Sequence, residues 1–104
     1  MVNKYKNKRT GGHASKKEDK RAKELAIMAR AGLISNLREQ VPYLLISSQN
    51  GLNRAERPCR YIADFVYIQD GKEIVEDSKG MRTDTYIVKR KLMLMVHGIS
   101  VLET

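Results

Sequence analysis

From Glu18 onward the apolar positions recur at helical spacing. Ala22, Leu25 and Ala29 share one narrow stripe with Glu18, and Ala26 and Leu33 lie at its margin. Ser15, followed by Lys16, Lys17 and Glu18, fits a capping box, and Gly32 is a stop signal, so the pattern predicts a first helix up to Arg30. Glu18 then points along the buried face. Beyond Gly32 the periodicity changes. "VPYLLISS" (41–48) predicts a first strand, "QNGLNRAERP" (49–58) a loop, and "CRYIADFVYI" (59–68) and "KEIVEDSK" (72–79) two further strands. Asp70-Gly71 between them is a strong two-residue hairpin turn. "RTDTYIVKRKLMLMVHG" predicts a second helix, capped by Thr83 or Asp84 and ended by Gly98, and "ISVLE" a short last strand. The expected fold class is α/β, a small mixed sheet in the order helix, three strands, helix, strand.

The hairpin register carries the first chemical signal. With Asp70-Gly71 as its turn, Ile68 faces Glu73, Val66 faces Val75, and Asp64 faces Asp77. Cross-strand Cβ atoms lie about 4.5–5.5 Å apart, so two like charges become direct neighbours, which is destabilising unless one is protonated or a cation bridges them. Alternation puts Lys79 on the side of Asp77 and Glu76 on the other. Mg²⁺ suits such a pair, because it takes one or two carboxylates and completes its shell with waters and phosphate oxygens. Glu18 is either a third ligand from the covering helix or only the acid that a capping box wants. A one-residue bulge would turn Asp64 to the opposite face.

Charge extends this picture. The chain has 104 residues, enough for one domain, with 41% hydrophobic and 31% charged residues and a formal charge of +8. Residues 1–23 carry nine Lys or Arg against Glu18 and Asp19, whereas residues 24–80 are close to neutral. "MVNKYKNKRTGG" lacks apolar periodicity, which predicts a flexible basic arm over 1–14 before a single domain over 15–104. Such an arm either neutralises nucleic-acid phosphates or merely solubilises the chain. Lys4, Lys6, Lys8 and Arg9 of the arm, Lys16 and Lys17 just after it, and Lys89, Arg90 and Lys91 on the second helix are the candidate nucleic-acid contacts. His13 and His97 are too isolated for a metal or base assignment, Gln40 is a minor candidate at a strand edge, and Cys59 suits packing. Val88, Leu92, Met95 and Val96 form one apolar face of the second helix, while Tyr86, Met93 and Leu94 fall elsewhere, a pattern that suggests a homodimer through this helix. The single cysteine, with no apolar run long enough to span a bilayer, leads to the expectation of a soluble protein of a reducing compartment.

"ADF" (63–65) and "DSK" (77–79), in this order of elements, resemble the PD-(D/E)XK nuclease superfamily, with Ala63 where that family has proline. More narrowly, "SKKEDKRAKEL", "AGLISNLREQ", "YIADFVY", "IVEDSKG" and "TYIVKRKL" are similar to a small family of phage and prophage proteins thought to be nuclease-like. The resemblance implies a restriction-endonuclease-like core. It also implies metal binding by Asp64 and Asp77, water activation by Lys79, and a contribution from Glu18 as in branches that add a glutamate from the first helix. Glu76 is left behind the metal or facing solvent. The expected activity is Mg²⁺-dependent endonucleolytic hydrolysis of DNA, with Mn²⁺ able to substitute. Branched DNA such as four-way (Holliday) junctions is the favoured substrate, and the cytoplasm of a bacterial host cell the setting. The rival readings are a non-catalytic nucleic-acid-binding protein with a basic arm and a protein-interaction adaptor.

Overall fold

A computed structural model describes residues 15–78 and 82–104. The arm with Lys4, Lys6, Lys8, Arg9 and His13, and Lys79 with its two successors, lie outside the described residues. Helix α1 (Lys16–Arg30) leads into strand β1 (Ser35–Ile46), a small ribbon of β2 (Gln49–Asn50) and β3 (Ala55–Glu56), and strands β4 (Cys59–Gln69) and β5 (Lys72–Asp77). Helix α2 (Asp84–His97) and strand β6 (Leu102–Glu103) complete the chain. The main sheet has the order β1-β4-β5-β6, antiparallel except for the parallel β5–β6 pair that α2 connects. It is a mixed α/β fold with one helix on each face. Among the described residues no helix is long and apolar enough to cross a membrane.

Local chemistry accounts for the element ends. Ser15 Oγ accepts the Glu18 N–H (3.1 Å) and Thr83 Oγ1 accepts the Tyr86 N–H (3.1 Å), so each helix starts on a side-chain cap. Gly98, at φ +68°, ends α2 in the left-handed conformation that costs a glycine least. Asp70 and Gly71 both have positive φ, as a type I′ hairpin turn requires, and the pairing runs from Gln69 opposite Lys72 to Phe65 opposite Glu76.

Two apolar clusters hold the layers together. On one face Leu45, Tyr61, Ala63, Val66 and Val75 pack under Met93 of α2, with Tyr86 and Leu92 at the margin. On the other, Phe65 and Tyr67 pack with Ile34 under Ala22 and Leu25 of α1. Burying each large apolar side chain contributes about 1.5–3 kcal/mol before the entropy of ordering it. Ala63 and Val66 share a face although they are three positions apart, so the alternation slips once, around Asp64. In β1 it slips too: Leu37 joins the α1 cluster whereas Val41 joins the α2 cluster. Gln40, facing this point, takes a positive φ of 54°, and the register is the same on both sides, with Glu39 opposite Phe65 and Val41 opposite Ala63. Both strands reverse their faces together, so the slip leaves the pairing intact.

Several expectations need correction. Strand β1 begins at Ser35, six residues before the apolar run, because it is an edge strand whose charged positions face water. The expected loop contains the β2–β3 ribbon, with Gln49 opposite Glu56. Leu33 is exposed, and Ile34 takes the buried place under α1. Helix α2 buries Met93, while Val88, Met95 and Val96 of its apolar face stay exposed and Leu92 is half-buried. His97 Nε2 lies 2.7 Å from the Leu44 carbonyl and its ring meets Tyr43 edge-on, which ties the end of α2 to β1.

Candidate functional site

Four acidic side chains vanish from solvent near the end of β5. Asp64, Glu76 and Asp77 are at most 1% exposed and Glu18 is 2% exposed. Burial of carboxylates on this scale requires compensating donors.

Asp64 sits at the slip in β4 and accepts the Ser78 N–H on Oδ2 at 2.9 Å. The ladder of paired residues ends one step earlier, at Phe65 and Glu76, so Asp64 joins β5 through its side chain. Asp77 accepts the Tyr61 hydroxyl on Oδ2 at 2.8 Å, and β6 runs along its other side, where the Thr104 N–H reaches the Asp77 carbonyl. Burial, and then the hydrogen bond to Asp77, push the Tyr61 hydroxyl well above the usual phenol range, with the charges of Asp77, the neighbouring Tyr86 and Asp64 acting in the same direction. Tyr61 is therefore a fixed donor that aims the Asp77 carboxylate. Asp77 and Tyr61 line a cleft of about 270 Å³ together with Thr83, Tyr86 and Lys89 at the start of α2. Of the three α2 cations, Lys89 borders this cleft, Arg90 is engaged by Glu103, and Lys91 is exposed.

Glu76 points to the opposite face, where α1 covers it, and is buried rather than solvent-facing. Arg21 donates to it through Nε (2.9 Å) and Nη2 (2.7 Å), the Tyr67 hydroxyl donates to Oε2, and Thr104 Oγ1 lies 3.3 Å from Oε1. Burial and the bond to Glu76 push the Tyr67 hydroxyl up to about 12, while the same carboxylate raises the Arg21 guanidinium. Glu18 receives the Gln40 side-chain amide at 3.0 Å, so the positive-φ residue of β1 reaches the helix that carries Glu18. Asp19, also buried, pairs with Lys23 at 3.1 Å. Among the described residues, no group of three or more His, Cys, Asp or Glu is arranged to hold a metal ion. Glu18 is a buried, hydrogen-bonded carboxylate of α1. Cys59 is a half-buried free thiol at the edge of the α2 cluster.

Neighbouring the cleft, Glu103 fastens α2 to β6. Its carboxylate accepts from Tyr86 (2.7 Å), Arg90 (2.9 Å) and Arg82 (3.0 Å), and these three bonds, in that order, hold it down at about 2. The folded state binds this proton more weakly than the unfolded chain does, so the stabilisation is complete above pH 4.5 and is lost as the pH falls toward about 2. Thermal denaturation across pH is expected to show Glu103→Gln less stable than wild type at neutral pH, with the gap closing through that window. Parallel curves for the two proteins would remove this role from Glu103.

Tyr61, Arg21, Ser78 and Gln40 are the site neighbours that pattern reasoning passes over or ranks low. A tyrosine, a serine or a strand-edge glutamine has many ordinary roles, and only the fold brings these onto the carboxylates.

The fold and these buried carboxylates define a small mixed α/β protein with an acidic site where β4, β5 and α2 meet. Its sequence matches, over residues 3–98, the model of the family described as "Protein of unknown function (DUF1064)", and the chain belongs to that family. No curated protein and no solved structure matches it.

Proposed function

We propose that the chain is a metal-dependent endonuclease that hydrolyses phosphodiester bonds in DNA, on a restriction-endonuclease-like core, with a preference for branched DNA such as four-way junctions. The observation that carries this reading is the burial of two carboxylates on adjacent strands of a chain with charge +8, Asp77 at the end of β5 and Asp64 within β4, which accepts the N–H of Ser78, the residue after Asp77. With the β2–β3 ribbon set aside, the order helix, three strands, helix, strand, with the last two strands parallel, agrees with it. So does the cleft beside Asp77, with Lys89 at its border.

Hard carboxylate oxygens, two in number, fit Mg²⁺ or Mn²⁺, whose remaining positions go to water and phosphate oxygens rather than to a complete protein cage. A divalent cation bound by Asp64 and Asp77 would supply Lewis-acid polarisation of the phosphate and a lowered pKa for water. Tyr61 keeps Asp77 oriented, and the Ser78 N–H does the same for Asp64. Lys79, two residues beyond Asp77 and outside the described residues, is assigned the orientation of the attacking water. Glu18 is assigned a supporting position at the margin of the site. The arm residues Lys4, Lys6, Lys8 and Arg9, with Lys16 and Lys17, give affinity through counterion release without reading sequence. The host-cell cytoplasm is the proposed setting.

The test is incubation of labelled linear, forked and four-way-junction DNA with the full chain in Mg²⁺, Mn²⁺ or EDTA. Cleavage in either metal and none in EDTA is the expected result, fastest on the junction. Salt-dependent binding with intact DNA in every condition would replace this reading with that of a non-catalytic nucleic-acid-binding protein.

A dimer accompanies the proposal. Helix α2 exposes Val88 (55%), Leu94 (57%), Met95 (74%) and Val96 (45%), apolar area that a second copy would remove from water. Light scattering on a size-exclusion column is expected to give twice the 11.9 kDa chain mass, and Met95→Glu to give the monomer. A wild-type monomer at micromolar concentration would rule the dimer out.

A further inference from the structure

On the α1 side of β5, across the strand from the Asp77 cleft, lies a second cavity of about 210 Å³, lined by Lys17, Lys20, Arg21, Glu24, Ser78 and Thr104. That is several times the ~30 Å³ share of a water in the liquid. We infer that this cavity is a subsite for one phosphate of the nucleic-acid backbone, held by the ammonium groups of Lys17 and Lys20 and by the Ser78 hydroxyl.

Three observations support it independently of the acidic site. Ser78 is fully buried, and its Oγ is, among the described residues, the one buried side-chain polar atom without a hydrogen-bond partner. A buried hydroxyl left unpaired is costly, so its persistence at the wall of a cavity points to an acceptor supplied from outside. Lys17, Lys20, Arg21 and Glu24 share one face of α1 by their three- and four-residue spacing. Arg21 is committed to Glu76 and Glu24, whereas Lys17 and Lys20 make no ion pair among the described residues, so their charges are available. Finally, Lys17 stands in the first turn of α1, at the positive end of the helix dipole. A lysine is electrostatically disfavoured there, and an anion is favoured by both the dipole and the ammonium group. A phosphate is the acceptor that satisfies the hydroxyl and the two cations together.

Because Ser78 also gives its N–H to Asp64, a phosphate on its hydroxyl would fix the strand in register with the acidic site. The inference extends the nuclease reading by placing a phosphate other than the one cleaved, and it is measured by binding alone. The experiment is a titration of ¹⁵N-labelled full chain, in EDTA and at constant ionic strength, with inorganic phosphate and separately with diethyl phosphate, a diester monoanion like the backbone linkage.

Saturable shifts of the Ser78, Lys20 and Thr104 amides with both probes are expected. Ser78→Ala should weaken the response about tenfold, the loss of one hydrogen bond to a charged group, without lowering the melting temperature. Lys17→Gln/Lys20→Gln should abolish it. In DNA binding measured in EDTA, the double variant should also lower the dependence of log K on log salt by about 0.9 per lost contact. Absence of saturable shifts, shifts that persist in both variants, or a response to inorganic phosphate alone would each overturn the subsite. DNA cleavage by a chain that fails this titration would leave the nuclease standing without it. A positive titration on a chain that never cleaves would leave the subsite and remove the nuclease.

Discussion

Asp77→Asn is expected to lower metal-dependent DNA cleavage by at least about 10²–10³-fold, the scale set by removing one group that stabilises developing charge directly. Asparagine keeps the shape of the side chain, and its carbonyl oxygen still accepts the Tyr61 hydroxyl now bonded to Asp77 at 2.8 Å. The fold is therefore retained, which a thermal melt next to wild type checks. Binding to the same DNA in EDTA should be unchanged or somewhat tighter, because the substitution removes negative charge and leaves every cation in place. Loss of cutting with retained binding separates chemistry from affinity. An Asp77→Asn protein that cuts at the wild-type rate would dissociate the buried carboxylates from catalysis and turn them into a structural feature of the sheet.

Arg21→Ala is expected to destabilise the protein by about 3–5 kcal/mol, the range for removing one partner of a buried ion pair. The left-over carboxylate explains the size. Glu76 is 0% exposed and receives two of its hydrogen bonds from the Arg21 guanidinium, so truncation strands a charge inside the α1–β5 interface. Arg21→Lys should recover only part of the loss, since an ammonium cannot reproduce the two-pronged bond. Pairing Arg21→Met with Glu76→Gln should recover most of it, because no unpaired charge then remains. Urea denaturation measures all four proteins. A cost below about 1 kcal/mol for Arg21→Ala would class the pair with ordinary surface salt bridges instead.

These two residues mark how far the sequence is legible. Local rules placed Ser15 and Gly98 at helix ends, narrowed the other cap to Thr83 or Asp84, and put Asp70-Gly71 at the turn, because capping and turn chemistry act over three or four residues and carry their own signature. The register of the β4–β5 hairpin followed from that turn alone, with Val66 opposite Val75 and Ile68 opposite Glu73. The start of β1 was not legible, since an edge strand with charged residues and two positive-φ positions, Asn36 and Gln40, lacks the alternation by which strands are recognised. The inward face of α2 was not legible for a related reason. A helix apolar on several sides gives no preference until the sheet selects one, and the sheet selected Met93.

What the sequence determined by itself was the series of elements, the hairpin turn and the nearness of Asp64 to the end of β5, all consequences of contacts between residues close along the chain. Only the tertiary structure decided that both β1 and β4 reverse their faces at Gln40 and Asp64. It alone brought Arg21 onto Glu76 across 55 positions and Tyr61 onto Asp77, and left Ser78 Oγ unpaired at the wall of a cavity. Those outcomes depend on which helix covers which face and on how buried charges find donors from distant elements, and a pattern read along one strand or one helix holds no term for either.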